Sequence, residues 1–187
     1  ATYPTLFGLL AATGMRVGEA LRLEPGDIDR ADAVIVIRES KFGKSRLVPV
    51  LPATITALDD YIDARDRLLR VERTTSRVFV SIRGGPLIYA VAQQVFRDVC
   101  DHNGIGTGAA RPARIHDLRH TFAVTVLTGW YRDGEDIEAR LPALSTYLGH
   151  RDPRSTYWYL SAAPELLAHA AAKLTHLTPA PVREVEL

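Results

Sequence analysis

The chain has 187 residues, 47% hydrophobic and 7% aromatic, with a formal net charge of +1: enough apolar material for one soluble domain with a real core, and a charge that permits a nucleic-acid partner on a locally basic face without demanding one. The single cysteine, Cys100, excludes an internal disulfide and a cysteine-built metal site, and suits a reducing compartment such as the cytoplasm. No apolar run approaches the roughly 20 residues that span a bilayer, and no basic region precedes the first apolar stretch, so neither a membrane segment nor a signal peptide is expected.

The chain enters the apolar run Leu6 to Ala12 almost at once, as a fragment with a missing preceding part would. Leu6, Leu9, Leu10 and Met15 predict a short amphipathic helix broken at Thr13-Gly14. A second helix follows from about Arg16 to Leu23, with Val17, Ala20, Leu21 and Leu23 mostly inward. Arg16 and Glu19 fall at i, i+3 on one face, either as an ordinary surface ion pair or with the carboxylate orienting the guanidinium. After the turn Pro25-Gly26-Asp27, the branched, alternating Val34 to Arg38 predicts a strand. Lys41-Phe42-Gly43-Lys44 supplies a turn and Arg46 to Val50 an antiparallel partner. The two lysines near the tip are either solvated or placed to enter a nucleic-acid groove.

Ile55 to Arg70 carries Leu58, Ile62, Leu68 and Leu69 at helical spacing opposite a charged face. Val78 to Ile82, closed by Gly84-Gly85-Pro86, predicts a third strand. Tyr89 to His102 predicts a helix with Val91, Val95, Phe96 and Val99 inward and Cys100 as a small buried residue. Gly104 to Pro112 is a loop lacking the lysine and preceding strand of a phosphate-binding loop. In the helix expected over Ala113 to Trp130, His116 and Arg119 share a face at i, i+3, and His116 and His120 at i, i+4. The second spacing suits structural histidines and also a helical metal pair, for which only His150 offers an obvious third ligand. A polar connection over Gly129 to Glu138 leads into a helix over Ile137 to Leu148.

Leu148 to Leu160 gathers His150, Arg151, Arg154, Tyr157 and Tyr159. Gly149 ends one helix, Asp152 stands at an N-cap and Pro153 at the first position of a short helix reaching about Ala162. On that helix Tyr157 and Tyr159 lie about 200° apart, so only one faces a site beside His150. A phenol has a pKa of about 10 and needs neighbouring cations or a base to become a nucleophile. Arginine forks in turn clamp the non-bridging oxygens of a phosphodiester. The stretch therefore suits phenolate attack on a phosphodiester; the plainer alternative is tyrosines in a core and solvated arginines. Pro164 to Leu177 predicts a last helix through Leu166, Leu167, Ala170 and Leu174, and residues 178–187 an aperiodic tail.

Five segments in order, Thr13-Gly14-Met15-Arg16-Val17-Gly18-Glu19-Ala20-Leu21, the lysine hairpin with Arg46-Leu47-Val48-Pro49-Val50, His116-Asp117-Leu118-Arg119-His120-Thr121-Phe122-Ala123, Leu148-Gly149-His150, and Tyr159, resemble the catalytic domain of the tyrosine recombinases, the phage-integrase family. The likeness spans roughly Leu6 to Leu167. It implies an α+β fold, mostly helical with a small antiparallel three-stranded sheet at one edge, over residues 1–177.

The same resemblance implies roles. Arg16 and Arg119 would hold the non-bridging oxygens of the scissile phosphate. His116 would accept or relay the proton of the nucleophile, His150 would donate a hydrogen bond to the phosphate, and Lys41 would protonate the departing 5′ oxygen. Glu19 would buttress Arg16, and Tyr159 would form a 3′-phosphotyrosyl link. Lys44, Arg46, Arg114, His120 and Arg151 are the expected DNA contacts. The implied partner is a double-stranded target site bound by a homotetramer, with a C-terminal segment able to exchange between protomers, and the chemistry needs no cofactor, ATP or metal. Two features depart from the family: the connection from Gly129 to Ile137 is longer than usual, and nothing resembles the usual N-terminal DNA-clamping domain. The alternatives are a type IB-like topoisomerase, a DNA-binding module that no longer cuts, and a zinc hydrolase.

Overall fold

In the computed structural model, which describes residues 1–38, 45–69, 71–150, 152 and 154–162, helix α1 (Thr2–Thr13) leads into α2 (Val17–Ala20), a 3-10 turn (Pro25–Asp27) and strands β1 (Ile28–Asp29), β2 (Val34–Ile37) and β3 (Arg46–Pro49). Helices α3 (Pro52–Leu68), α4 (Tyr89–His102), α5 (Asp117–Arg132), α6 (Ile137–Leu148) and α7 (Arg154–Ala162) follow. The fold is mostly helical with one three-stranded antiparallel sheet, as expected, in the order β1-β2-β3. Val34 opposes Pro49 and Ile37 opposes Arg46, a register that sends Ile35, Ile37 and Val48 inward. The hairpin turn with Lys41 and Lys44, as well as Arg151, the helix expected over Pro164 to Leu177 and the tail 178–187, lie outside the described residues. Among the described residues no helix is long and apolar enough to cross a membrane.

The third strand is not the expected one. Val78 to Ile82 makes a single isolated bridge, Val80 to Pro86. Proline lacks the N–H to extend a ladder, and Ser81, Gly84 and Gly85 close a tight turn through Ser81 N to Gly85 O at 2.8 Å and Gly84 N to Ser81 O at 2.9 Å. The segment reads as a strand because it is apolar and buried: Phe79 is fully covered and stacks on Tyr61 with ring centroids 5.3 Å apart.

Two compact units divide the chain. The first comprises Ala1–Ala123 with Tyr147–Gly149, and its core joins Leu6 and Leu10 of α1, Ile35 of the sheet, Leu58 of α3 and Phe96 of α4. Each such aliphatic side chain contributes about 1.5–3 kcal/mol by leaving water. On α4 the inward residues are Ala92, Phe96 and Cys100, while Val91 and Val99, expected inside, are exposed. On α3, Tyr61 and Arg65 are buried and Leu68 is exposed. The second unit comprises Val124–Thr146 and the described residues from His150 onward; its buried side chains include Leu127, Leu141, Leu144, Thr156 and Tyr159.

Candidate active site

In the first unit the site grows from two helix ends. Gly14 closes α1 in the left-handed region at φ 60°, its N–H bonded to Leu10 O, which turns its own carbonyl away from the helix. Arg16 then serves as the N-cap of α2, with extended backbone, and its N–H donates to Glu19 Oε2 at 2.8 Å. Glu19 is thereby fixed as the third residue of the helix, where its carboxylate reaches back to the cap.

Residues 147–149, at the C-terminus of α6, offer carbonyls without helical partners. Each of the three accepts from a different arginine. Arg46 Nε donates to Tyr147 O at 2.9 Å, Arg119 Nη2 to Leu148 O at 2.6 Å, and Arg16 Nη2 to Gly149 O at 2.8 Å. Cations at a helix C-terminus are favoured by the partial negative charge there. Arg119 also donates through Nη1 to Gly14 O at 2.7 Å and is 2% exposed. Arg16 also donates through Nη1 to Glu19 Oε1 at 3.0 Å, and its side chain keeps 28% of its surface open. Three guanidiniums thus gather with one carboxylate, an excess of positive charge that suits an anion.

Glu19 holds the centre of this arrangement. Its oxygens accept from Arg16 N and Nη1 and from Arg46 Nη1 at 2.9 Å and Nη2 at 2.8 Å. Burial pushes its pKa up, but the Arg46 hydrogen bonds and charge, followed by those of Arg16, win and hold it at about 2. Arg46, one of the expected DNA contacts, makes these hydrogen bonds within the protein, its side chain 11% exposed.

His116 immediately precedes α5 and is exposed, its carbonyl accepting from Arg119 N at 3.1 Å. Its ring meets His120 edge to face, with centroids 5.0 Å apart. Lost hydration, then the charges of His120, Arg119 and Arg114, against the opposing pull of Asp117, lower the pKa of His116 below its ordinary value. His120 is half-buried and lowered too, first by desolvation. Arg114 is exposed and paired with Asp117 at 3.4 Å.

In the second unit, His150 N donates to Ser145 O at 3.0 Å, the outer hydrogen bond of a glycine-terminated helix end. His150 Nδ1 lies 2.7 Å from Thr156 Oγ1, and its ring is near-parallel to Tyr159, with centroids 6.1 Å apart and planes 20° apart. Asp152 Oδ1 accepts from Arg154 N at 2.9 Å as the start of α7. Tyr159 is 3% exposed and Tyr157 48%, so the two phenols take the opposite sides that their spacing requires. The structure therefore brings together Arg16, Glu19, Arg46 and Arg119 in one unit, and His150 and Tyr159 in the other.

The grip of Arg46 on Glu19 and the carbonyls of 147–149 are missed by reading residue types. A backbone acceptor leaves no mark in sequence, and Glu19 already had an arginine at i−3 to account for it.

A model described as the phage integrase family matches residues 1–165. Among curated proteins the chain is 40% identical over 182 residues to "Putative integrase/recombinase y4rB" of Sinorhizobium fredii, covering 92% of this chain and 55% of that protein. It is 37% identical over 152 residues to "Tyrosine recombinase XerD" of Mycobacterium tuberculosis, covering 81% of this chain and 45% of that one. The chain thus spans about half the length of the curated relatives it matches. Among solved structures, XerA recombinase superposes with a TM-score of 0.69 at 25% identity, covering 96% of this chain and 64% of that one. XerH site-specific recombinase gives a TM-score of 0.71 at 22% identity, a likeness of fold, covering 92% of this chain and 46% of that one.

Proposed function

Because the chain belongs to the phage integrase family, we propose that it breaks and rejoins duplex DNA by passing a phosphodiester through Tyr159. The phenolate oxygen of Tyr159 attacks phosphorus, the bond from phosphorus to the 5′ oxygen breaks, and a 3′-phosphotyrosyl link forms. Arg16 and Arg119 hold the non-bridging oxygens and meet the charge of the transition state. His116, kept neutral by its surroundings, takes the phenol proton, and His150 donates to the phosphate. Lys41 returns a proton to the leaving oxygen. Rejoining is the reverse step, in which a 5′ hydroxyl attacks the phosphotyrosine, so the bond energy is conserved and neither nucleotide nor metal is consumed.

The observation that supports this reading most is the convergence of Arg16 and Arg119, far apart in sequence, on the adjacent carbonyls of Gly149 and Leu148. Two guanidiniums so anchored are pre-set for one tetrahedral anion. The working assembly is a homotetramer on its target site, acting in the cytoplasm, with residues 1–177 carrying the chemistry. Lys44, Arg114, His120 and Arg151 contact the duplex.

The test is a pool of nicked duplexes of randomised sequence incubated with the 187-residue chain. A denaturation-resistant protein-DNA adduct is expected, abolished by Tyr159→Phe and unaffected by EDTA; sequencing the captured DNA identifies the target. An adduct that persists in Tyr159→Phe assigns the nucleophile elsewhere, first to Tyr157.

A further inference from the structure

Arg46 opens β3, and its guanidinium is spent on the protein. Nε donates to Tyr147 O, and Nη1 and Nη2 form a fork on the two oxygens of Glu19. The face of the fork lies against Gly149: a Cβ built on that glycine would fall 2.9 Å from Arg46 Nη1 and 3.0 Å from Cζ. Arg46 therefore touches both groups that hold the Arg16 guanidinium, the Glu19 carboxylate and the Gly149 peptide. Charge gives the contact a second effect. Glu19 alone would neutralise Arg16; a second guanidinium on the same carboxylate returns the trio to a net positive charge, so Arg16 still attracts an anion.

We propose that Arg46 is a positioning residue, which sets the Arg16 guanidinium by fixing its two partners and does not itself contact DNA. This rests on the phosphoryl-transfer reading above, since it assigns Arg16 to the phosphate. Among the described residues, the charged groups around Glu19 are Arg16 and Arg46, with Arg22, Glu24, Asp27 and Arg38 lining the cleft of about 390 Å³ beside it. Of these, Arg16 and Arg46 are the two that donate hydrogen bonds to its carboxylate.

The experiment separates rate from affinity. On the nicked-duplex pool, Arg46→Gln is expected to lose about 100-fold in the saturated rate of adduct formation, the scale of a small misplacement of a reacting group. The half-saturating DNA concentration is expected to change by less than about threefold, since no backbone contact is removed. Arg46→Lys, which keeps the charge and loses the fork, recovers about tenfold of the rate. A raised half-saturation with an unchanged saturated rate makes Arg46 a DNA contact and overturns the proposal.

A second readout needs no DNA and serves if Arg46→Gln does not fold. In Arg46→Lys the carboxyl carbon of Glu19, followed by NMR, is expected to titrate about one pH unit or more higher, and the Arg16 Nε–H resonance to move. The absence of both changes overturns the proposal even where adduct forms normally. Absence of adduct from the wild-type chain counts instead against the phosphoryl-transfer reading, leaving the NMR arm to decide the role of Arg46.

Discussion

Gly14 lies with its α-carbon against the ring of Phe122, so close that a methyl group there would fall 2.4 Å from Cδ1. Phe122 in turn stacks on Tyr147, with centroids 5.6 Å apart, and Gly14 O is one of the two acceptors that hold Arg119. Gly14→Ala combines a left-handed backbone, costing about 1–2 kcal/mol, with overpacking of about 1–3 kcal/mol. Chemical denaturation is expected to show a loss of about 2–5 kcal/mol, and the Gly14→Ala, Phe122→Ala double variant to remove the overpacking part of the Gly14→Ala effect. If that effect is the same with and without Phe122, the ring does not enforce the glycine.

Glu19 makes stability depend on acid. Its folded pKa of about 2 lies below its ordinary 4.5, so the unfolded chain binds the proton more readily. The stabilisation is full above pH 4.5 and is lost as pH falls from there to about 2. It amounts to about 3 kcal/mol. Glu19→Gln is expected to lose a comparable amount at neutral pH and to show a flatter acid branch in urea unfolding measured at several pH values; an acid branch as steep as that of the wild type would mean that other carboxylates set it.

His116 is held neutral, so the saturated rate of adduct formation is expected to be flat above about pH 6.5, the ordinary histidine value, and to fall below the lower value set by its surroundings. The same depressed value means that this residue also costs stability as pH falls through the ordinary histidine range. His116→Gln is expected to lower the plateau by about 100- to 1,000-fold and to remove the acid limb. Survival of that limb in the variant assigns it to another group.

Thr156 is fully buried with its hydroxyl 2.7 Å from His150 Nδ1. Replacing it by valine keeps the shape and removes the partner that orients the imidazole. Thr156→Val is expected to slow adduct formation by about tenfold, one hydrogen bond's worth, with Thr156→Ser restoring most of it. Equal rates in the two variants would show that the hydroxyl does not orient His150.

Sequence pattern revealed what is regular. The bounds of α4 and α6 follow from apolar spacing, and α1 ends where Gly14 permits a left-handed residue. The α4 face expected from Val91, Val95 and Val99 is offset by one residue from the stripe that packs, which is Ala92, Phe96 and Cys100, leaving Val91 and Val99 exposed. Strand β1 has only two residues and no periodicity to detect. At the site, residue types named the arginines, histidines and tyrosine, but the groups that fix them are main-chain oxygens and an arginine 27 positions from the glutamate it grips, and neither kind of partner is visible in a one-dimensional pattern.

The three carbonyls at 147–149 act as a common knot for strands of chain that start far apart. Circular permutation tells such a knot from ordinary loops. New termini in the exposed stretch 103–112 interrupt no core contact, whereas termini cut between Tyr147 and Gly149 would free the peptide on which three guanidiniums depend. A permutant opened at the first place is expected to retain the fold, and one opened at the second to lose the alignment of Arg16 and Arg119 together.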